Sequence, residues 1–210
     1  MSGPAIAVVD YGMGNRRSVE KALEHVGARA QITREHDDLR AADGLVVPGV
    51  GAFPQAMRNL AALGLDAVLA ERTRAGVPVL GICLGMQLLF ETSTEIEGAT
   101  GLGLLPGTVS ELEAPGLKVP HIGWNLVTFE RPSPLTAGLP EQAAFYHVHT
   151  YAARPADAAD VVGTSEYGER FASVVARGDV YGVQFHPEKS SHHGLALLKS
   201  FSGLCARVAA

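Results

Sequence analysis

The chain has 210 residues, 47% apolar and 19% charged, enough for one domain with a full core and not comfortably enough for two. A net charge of −5 with no Lys/Arg-rich stretch argues against a nucleic-acid surface, and no apolar run approaches the roughly 20 residues that a membrane span needs. Cys83 and Cys205 cannot make a disulfide framework, and the chain enters a strand without a charged and then apolar leader; a single domain over 1–210 in a reducing, cytoplasmic setting is expected.

The first half alternates strand and helix. Ala5–Asp10 reads as a near-continuous apolar strand, and Ser18–Val26 as a helix through Val19, Ala22, Leu23 and Val26. Ala28–Thr33 and Gly44–Val47 read as further strands, with one long helical stretch between Gln55 and Ala75. Val77–Ile82 is a fourth strand and Leu84–Thr92 its helix. Strands separated by helices predict a parallel sheet covered on both faces, with ligands bound beyond the C-terminal strand ends. Tyr11–Asn15, Pro48–Gly51 and Cys83 all follow such ends, so three strand tips are expected to converge on one site. From Gly101 onward short β-like runs dominate: Val119–Ile122, Leu126–Phe129, Phe145–His149, Val161–Thr164, Ser173–Ala176 and Val180–Phe185. Turn signals such as Ala114-Pro115-Gly116 and Arg177-Gly178-Asp179 separate them, and a closing helix fits Leu195–Val208.

The chemistry centres on Gly81-Ile82-Cys83-Leu84-Gly85. A cysteine between two glycines at a strand-to-helix turn fits the thiol form of a nucleophile elbow; it also fits a small buried hydrophobe. A nucleophile needs a base, and the base needs a group to orient it. His186 follows a strand in Phe185-His186-Pro187-Glu188, with Glu188 close enough to face the same imidazole; a solvated surface turn is the alternative. Acyl transfer also needs donors for an oxyanion. Gly49, Val50 and Gly51, in a tight Pro-Gly turn, and the N–H of Leu84 are candidates, although Pro-Gly also ends strands for no further reason.

Gly-Ile-Cys-Leu-Gly-Met-Gln at 81–87 with Phe-His-Pro-Glu at 185–188 resembles the class I (triad) glutamine amidotransferases, and within them the glutaminase subunits of imidazole glycerol phosphate synthase. Asp10–Asn15 with Ser18-Val19, Pro48–Phe53, Pro120–Asn125, Val148–Tyr151 and Gln184–Ser190 match in order from near the first residue to the last helix. The resemblance implies an α/β fold of three layers, with a mixed, mostly parallel central sheet flanked by helices. It makes Cys83 the nucleophile, His186 the general base and then acid, and Glu188 its orienting partner. Gln87 and Glu95 match positions that hold the glutamine, and Thr150 and Tyr151 a segment that contributes substrate contacts largely through its backbone. No cofactor is implied. The implied partner is a (β/α)8-barrel cyclase subunit that takes ammonia through a channel and makes imidazole glycerol phosphate and an aminoimidazole carboxamide ribotide. Asn15, Tyr146 and Lys189 resemble interface residues near the channel mouth. His147, where the family commonly has an aromatic, and Thr150, where serine is usual, depart from the pattern.

Four other readings compete. His147 and His149, spaced to share a strand face, with two more imidazoles at His192-His193, invite a metal site, but no matched carboxylate or thiol pattern accompanies them. Tyr11–Asn15 hints at a dinucleotide fingerprint, but Arg17 occupies the third glycine position. The chain could also serve another synthase, or be a catalytically silent module of the same fold. Gly12–Asn15 and His121–Asn125 point away from the former, and the Cys83, His186 and Glu188 set from the latter.

Overall fold

The computed structural model describes residues 3–206. In chain order the elements are β1 (Ala5–Val9), α1 (Arg16–His25), β2 (Arg29–Thr33), α2 (His36–Ala41), β3 (Gly44–Gly49), α3 (Phe53–Ala62), α4 (Leu65–Arg74), β4 (Val79–Cys83) and α5 (Leu84–Leu88). There follow β5 (Phe90–Ser93), β6 (Ala99–Thr100), β7 (Leu105–Glu111), β8 (His121–Phe129), β9 (Gln142–His149), β10 (Tyr151–Pro155), β11 (Val161–Tyr167), β12 (Glu169–Arg177), β13 (Val180–Val183) and α6 (Ser191–Cys205).

The larger sheet runs β2-β1-β3-β4-β13-β12-β11-β8-β9. Neighbours from β2 to β13 are parallel, and those from β13 to β9 antiparallel. The buried central strands β3 and β4 are inward-facing on both sides, as parallel strands between two layers must be. On one face Val9, Leu45, Val47 and Val79 pack with α3, α4 and α5 through Phe53, Leu60, Leu69 and Met86. On the other, Val8, Val46, Leu80 and Val183 pack with α1 and α6 through Leu23, Leu197 and Phe201. Each such fully buried side chain contributes on the order of 1.5–3 kcal/mol of transfer free energy.

Several sequence expectations change. The helix over Gln55–Ala75 is two helices, because the chain turns at Gly64 with φ +64°, a left-handed conformation that a helix cannot carry. The helix expected over Leu84–Thr92 stops at Leu88. The N–H groups of Leu104 and Leu105 both bond the Leu89 carbonyl, and Phe90–Ser93 pairs with β6 and β7. A second sheet, β10-β7-β5-β6, was not foreseen; Phe90, Leu105, Val109 and Ala153 pack it into the same core as α3 and α5. The short helix α2 was also missed. Val119–Ile122 and Leu126–Phe129 merge into β8 from His121 onward, paired along its length with β9. The last helix starts at Ser191, earlier than expected, and the expected end at Val208 lies outside the described residues.

Candidate active site

β1, β3 and β4 are neighbours in the parallel half, so their C-terminal ends do converge. The Tyr11 hydroxyl after β1 donates to the Pro48 carbonyl at 2.6 Å, and Asn59 Nδ2 donates to the Tyr11 carbonyl at 3.0 Å. Gly49, the last residue of β3, pairs with Cys83, the last of β4. Cys83 has φ +56° and ψ −115°, so the strain of the elbow sits on the cysteine itself. The flanking glycines serve close approach. A Cβ on Gly81 would stand 2.5 Å from the Gly85 carbonyl oxygen, and one on Gly85 would overlap the Val47 carbonyl. Because α5 is five residues long, it contributes one turn of orphan N–H groups and no extended dipole.

Across the β4–β13 pairing, His186 follows β13 and is buried close enough to the Cys83 sulfur for the two groups to influence each other's charge. His186 Nδ1 lies 2.9 Å from Glu188 Oε1, and both side chains are almost fully enclosed. Burial alone lowers the imidazole pKa, but the bonds to Cys83 and Glu188, and the charges of both, reverse this and raise it to about 10. The backbone fixes the loop: the His186 N–H donates to the Tyr146 carbonyl, and Ser190 Oγ donates to the His186 carbonyl and accepts from the Tyr146 N–H.

A cavity of about 330 Å³ opens over the sulfur. Of the residues picked from sequence, Val50, Gly51, Leu84, Gln87, Glu95, Thr150, Tyr151 and Lys189 line it with Cys83 and His186. Glu188 is not a lining residue; it backs His186. Gly49 sits within β3, and neither Asn15 nor Tyr146 reaches the cavity wall. Asn15 precedes α1, and Tyr146 packs edge-on against Trp124 with ring centroids 6.2 Å apart. Glu95 Oε2 accepts from the Phe53 N–H at 2.8 Å, which ties the cavity to the start of α3 just beyond the Pro-Gly turn. Gln87 Nε2 donates to the Tyr151 carbonyl at 2.9 Å and to Gln184 Oε1 at 3.1 Å, leaving its own carbonyl oxygen for a ligand.

Sequence reasoning missed four contributors. Tyr11 lies close enough to Cys83 for the sulfur's charge to add to burial in raising the phenol pKa. The Val148 carbonyl accepts from the Cys83 thiol at 3.6 Å. Gln184 and His149, part of quoted motifs but given no role, are buried in the site's wall. His147 and His149 do share a buried face of β9, and His121 pairs with His149 across the ladder, its Nδ1 2.9 Å from His149 Nε2. Among the described residues no group of three or more His, Cys, Asp or Glu is arranged to hold a metal. Ser173 Oγ and the Phe145 carbonyl already occupy both nitrogens of His147.

The model of the glutamine amidotransferase class-I family matches residues 7–202. The chain belongs to that family. Among curated relatives of this amidotransferase, the imidazole glycerol phosphate synthase subunit HisH of Moorella thermoacetica is 52% identical over 95% of this chain and 94% of its own. The subunit of the same name from Bacillus cereus strain G9842 is 49% identical with the same coverage. A solved glutamine amidotransferase shares the fold with a TM-score of 0.75 at 22% identity, over 95% of this chain and 98% of that one. PurLQS of Thermotoga maritima does so at 0.73 and 22%, over 95% and 97%.

Proposed function

We propose that this amidotransferase is the glutaminase subunit of an imidazole glycerol phosphate synthase, and that residues 1–210 form a single catalytic domain. The observation that carries the chemistry is a strained cysteine at a strand end, sharing one cavity with the imidazole of a buried His–Glu pair and with Gln87 and Glu95. Cys83 sulfur attacks the side-chain amide of glutamine. Gly49–Gly51 and the Leu84 N–H supply donors for the oxyanion, and His186 passes the proton to the departing ammonia. Water, deprotonated by the same imidazole, then cleaves the glutamyl thioester to glutamate. Glu188 holds Nδ1 and so presents Nε2 to the reaction. The free carbonyl of Gln87 and the carboxylate of Glu95 suit the ammonium end of glutamine, with Thr150 and Tyr151 lining the cavity beside them.

The partner is proposed to be a (β/α)8-barrel cyclase that receives the ammonia. Confinement keeps ammonia from dilution and protonation in bulk water. Ile122, Trp124 and Leu126 support a docking surface: they alternate along the outer face of β8, each more than half exposed, and Pro120 just before β8 lines the cavity. Tyr146, which packs beside Trp124, and Lys189, which lines the cavity, support the same surface. Asn15, at the tip of β1, is the third. The described residues contain no helix long and apolar enough to cross a membrane, and a cytoplasmic location is proposed with the two free, buried cysteines in its favour.

Glutamate release from glutamine, with and without the cognate barrel subunit and its nucleotide ligand, tests the reading. Strong stimulation by partner plus ligand, abolished in Cys83→Ala, is expected. Hydrolysis indifferent to that partner would assign the triad to another synthase, and no hydrolysis at all would leave a silent module.

A further inference from the structure

Gln184 is completely buried on the loop between β13 and His186, and its amide touches the reacting sulfur: Nε2 stands 3.9 Å from Cys83 Sγ. Which end of the amide faces the sulfur follows from a fixed point two residues away. The Tyr151 carbonyl can only accept, so the Gln87 atom 2.9 Å from it is the NH₂. The same NH₂ meets Gln184 at 3.1 Å, so that atom of Gln184 must be its carbonyl oxygen. The Gln184 NH₂ is therefore the end turned to Cys83.

A second chain of bonds reaches the same Tyr151 carbonyl from the other side. Asn125 Nδ2 donates to the Glu166 carbonyl, which makes it the NH₂, and it lies 3.3 Å from His121 Nε2. His121 Nε2 thus accepts, His121 Nδ1 donates to His149 Nε2, and His149 Nδ1 donates to the Tyr151 carbonyl at 2.9 Å. Both histidines are neutral in this arrangement. Burial, which outweighs the Tyr151 bond, lowers the His149 pKa to about 4, in keeping with that state. The carbonyl is thereby held between two donors and cannot turn to release Gln87.

We infer that Gln184 is a catalytic residue: its buried side-chain N–H, aimed by Gln87, donates to the Cys83 sulfur and stabilises the negative charge there before attack and at the thioester's breakdown. The inference rests on Cys83 being the nucleophile. At 3.9 Å the contact is at the long end for an N–H to sulfur bond, and catalytic hydrogen bonds tighten in the transition-state complex. The thiol proton bonded to the Val148 carbonyl leaves on ionisation, so Gln184 and His186 become the donors on the sulfur. The arrangement ties recognition to reactivity. The residue proposed to hold glutamine also sets which end of the Gln184 amide meets the nucleophile.

The test is the pH dependence of Cys83 alkylation by iodoacetamide in the full chain, read by peptide mass so that Cys205 does not interfere. Gln184→Met keeps the volume and removes the donor; Gln184→Glu keeps the shape and puts a carboxylate at the sulfur. The other titratable groups around the sulfur are His186, Tyr11, His149, Glu95 and Lys189, and all stay unchanged in these variants. With thermal melts showing folded protein, alkylation at neutral pH slows about tenfold in Gln184→Met and more in Gln184→Glu, the profile moves to higher pH, and kcat falls with little change in KM. An unmoved profile in a folded variant overturns the inference. If neither variant folds, the wild-type side-chain amide resonance of Gln184 decides: it titrates together with Cys83 and stops doing so in Cys83→Ala, and a resonance blind to Cys83 overturns the inference. Failure of wild-type Cys83 to be alkylated by a glutamine-mimicking label, with labelling unaffected by Cys83→Ser, would instead overturn the nucleophile.

Discussion

At the scale of single residues, the triad's behaviour turns on one buried carboxylate. Glu188→Gln keeps a hydrogen-bonding oxygen but removes the charge that faces His186 Nδ1, and glutaminase kcat is expected to fall on the order of 10²–10⁴-fold. The same variant changes stability against pH. His186 has a folded pKa near 10, above its ordinary 6.5, so its contribution is complete below about pH 6.5 and is lost as pH rises toward 10. Thermal melts across that window fall more steeply for the wild type than for Glu188→Gln. His147 has the opposite sign. Burial, then the charges of His149 and His121, hold its pKa well below the ordinary value, so stability is complete above about 6.5 and is lost as pH falls below it. His147→Phe flattens that acid-side loss, but orphans the buried Ser173 hydroxyl at a cost of about 1–3 kcal/mol. Adding Ser173→Ala recovers part of this, and a double-mutant cycle by urea unfolding is expected to show coupling of about 1 kcal/mol. The departure of His147 from the family's aromatic was visible in sequence; its partner Ser173, 26 residues away, was not.

At the scale of elements, the elbow between β4 and α5 leaves no room for a side chain at its glycines. Gly85→Ala drives a Cβ into the Val47 carbonyl, a backbone atom of β3 that cannot swing aside as a side chain could. Because β3 also carries the Pro-Gly turn, the variant is expected to lose at least about 2–3 kcal/mol in denaturant melts and most of its glutaminase activity together. Gly81 and Gly85 mark the elbow in the sequence. Their φ values turn out unremarkable, and Cys83 bears the positive φ, because what the packing demands of the glycines is the missing Cβ. The strands of the parallel half were legible because burial on both faces leaves continuous apolar runs. The small sheet was not legible. β5 continues straight on from a helix after one residue, and its pairing with β6 and β7, not its own sequence, makes it a strand.

At the scale of the molecule, the proposed cyclase partner would cover the strip on β8. Trp124→Ala is expected to weaken association with the barrel subunit by about 10–100-fold, measured by calorimetric titration, while the melting of the chain by itself stays within a degree or two. Lys189→Ala is expected to weaken association or the coupling of hydrolysis to synthase turnover while sparing the fold; unchanged affinity and unchanged turnover in the mutant complex would remove Lys189 from that role. Sequence by itself determined the α/β class, the convergence of three strand tips and the family, and it singled out Cys83, His186 and Glu188 as the proposed triad. These depend on short-range patterns: apolar runs of the right length, glycines around a cysteine, a histidine two residues from a glutamate. Tertiary structure alone decided that Tyr11 braces the Pro-Gly turn, that a second sheet completes one face of the core, and that Gln184 turns its N–H to the sulfur. Each of these rests on contacts between residues tens of positions apart, and a buried polar group has no partner to reveal it until the fold supplies one.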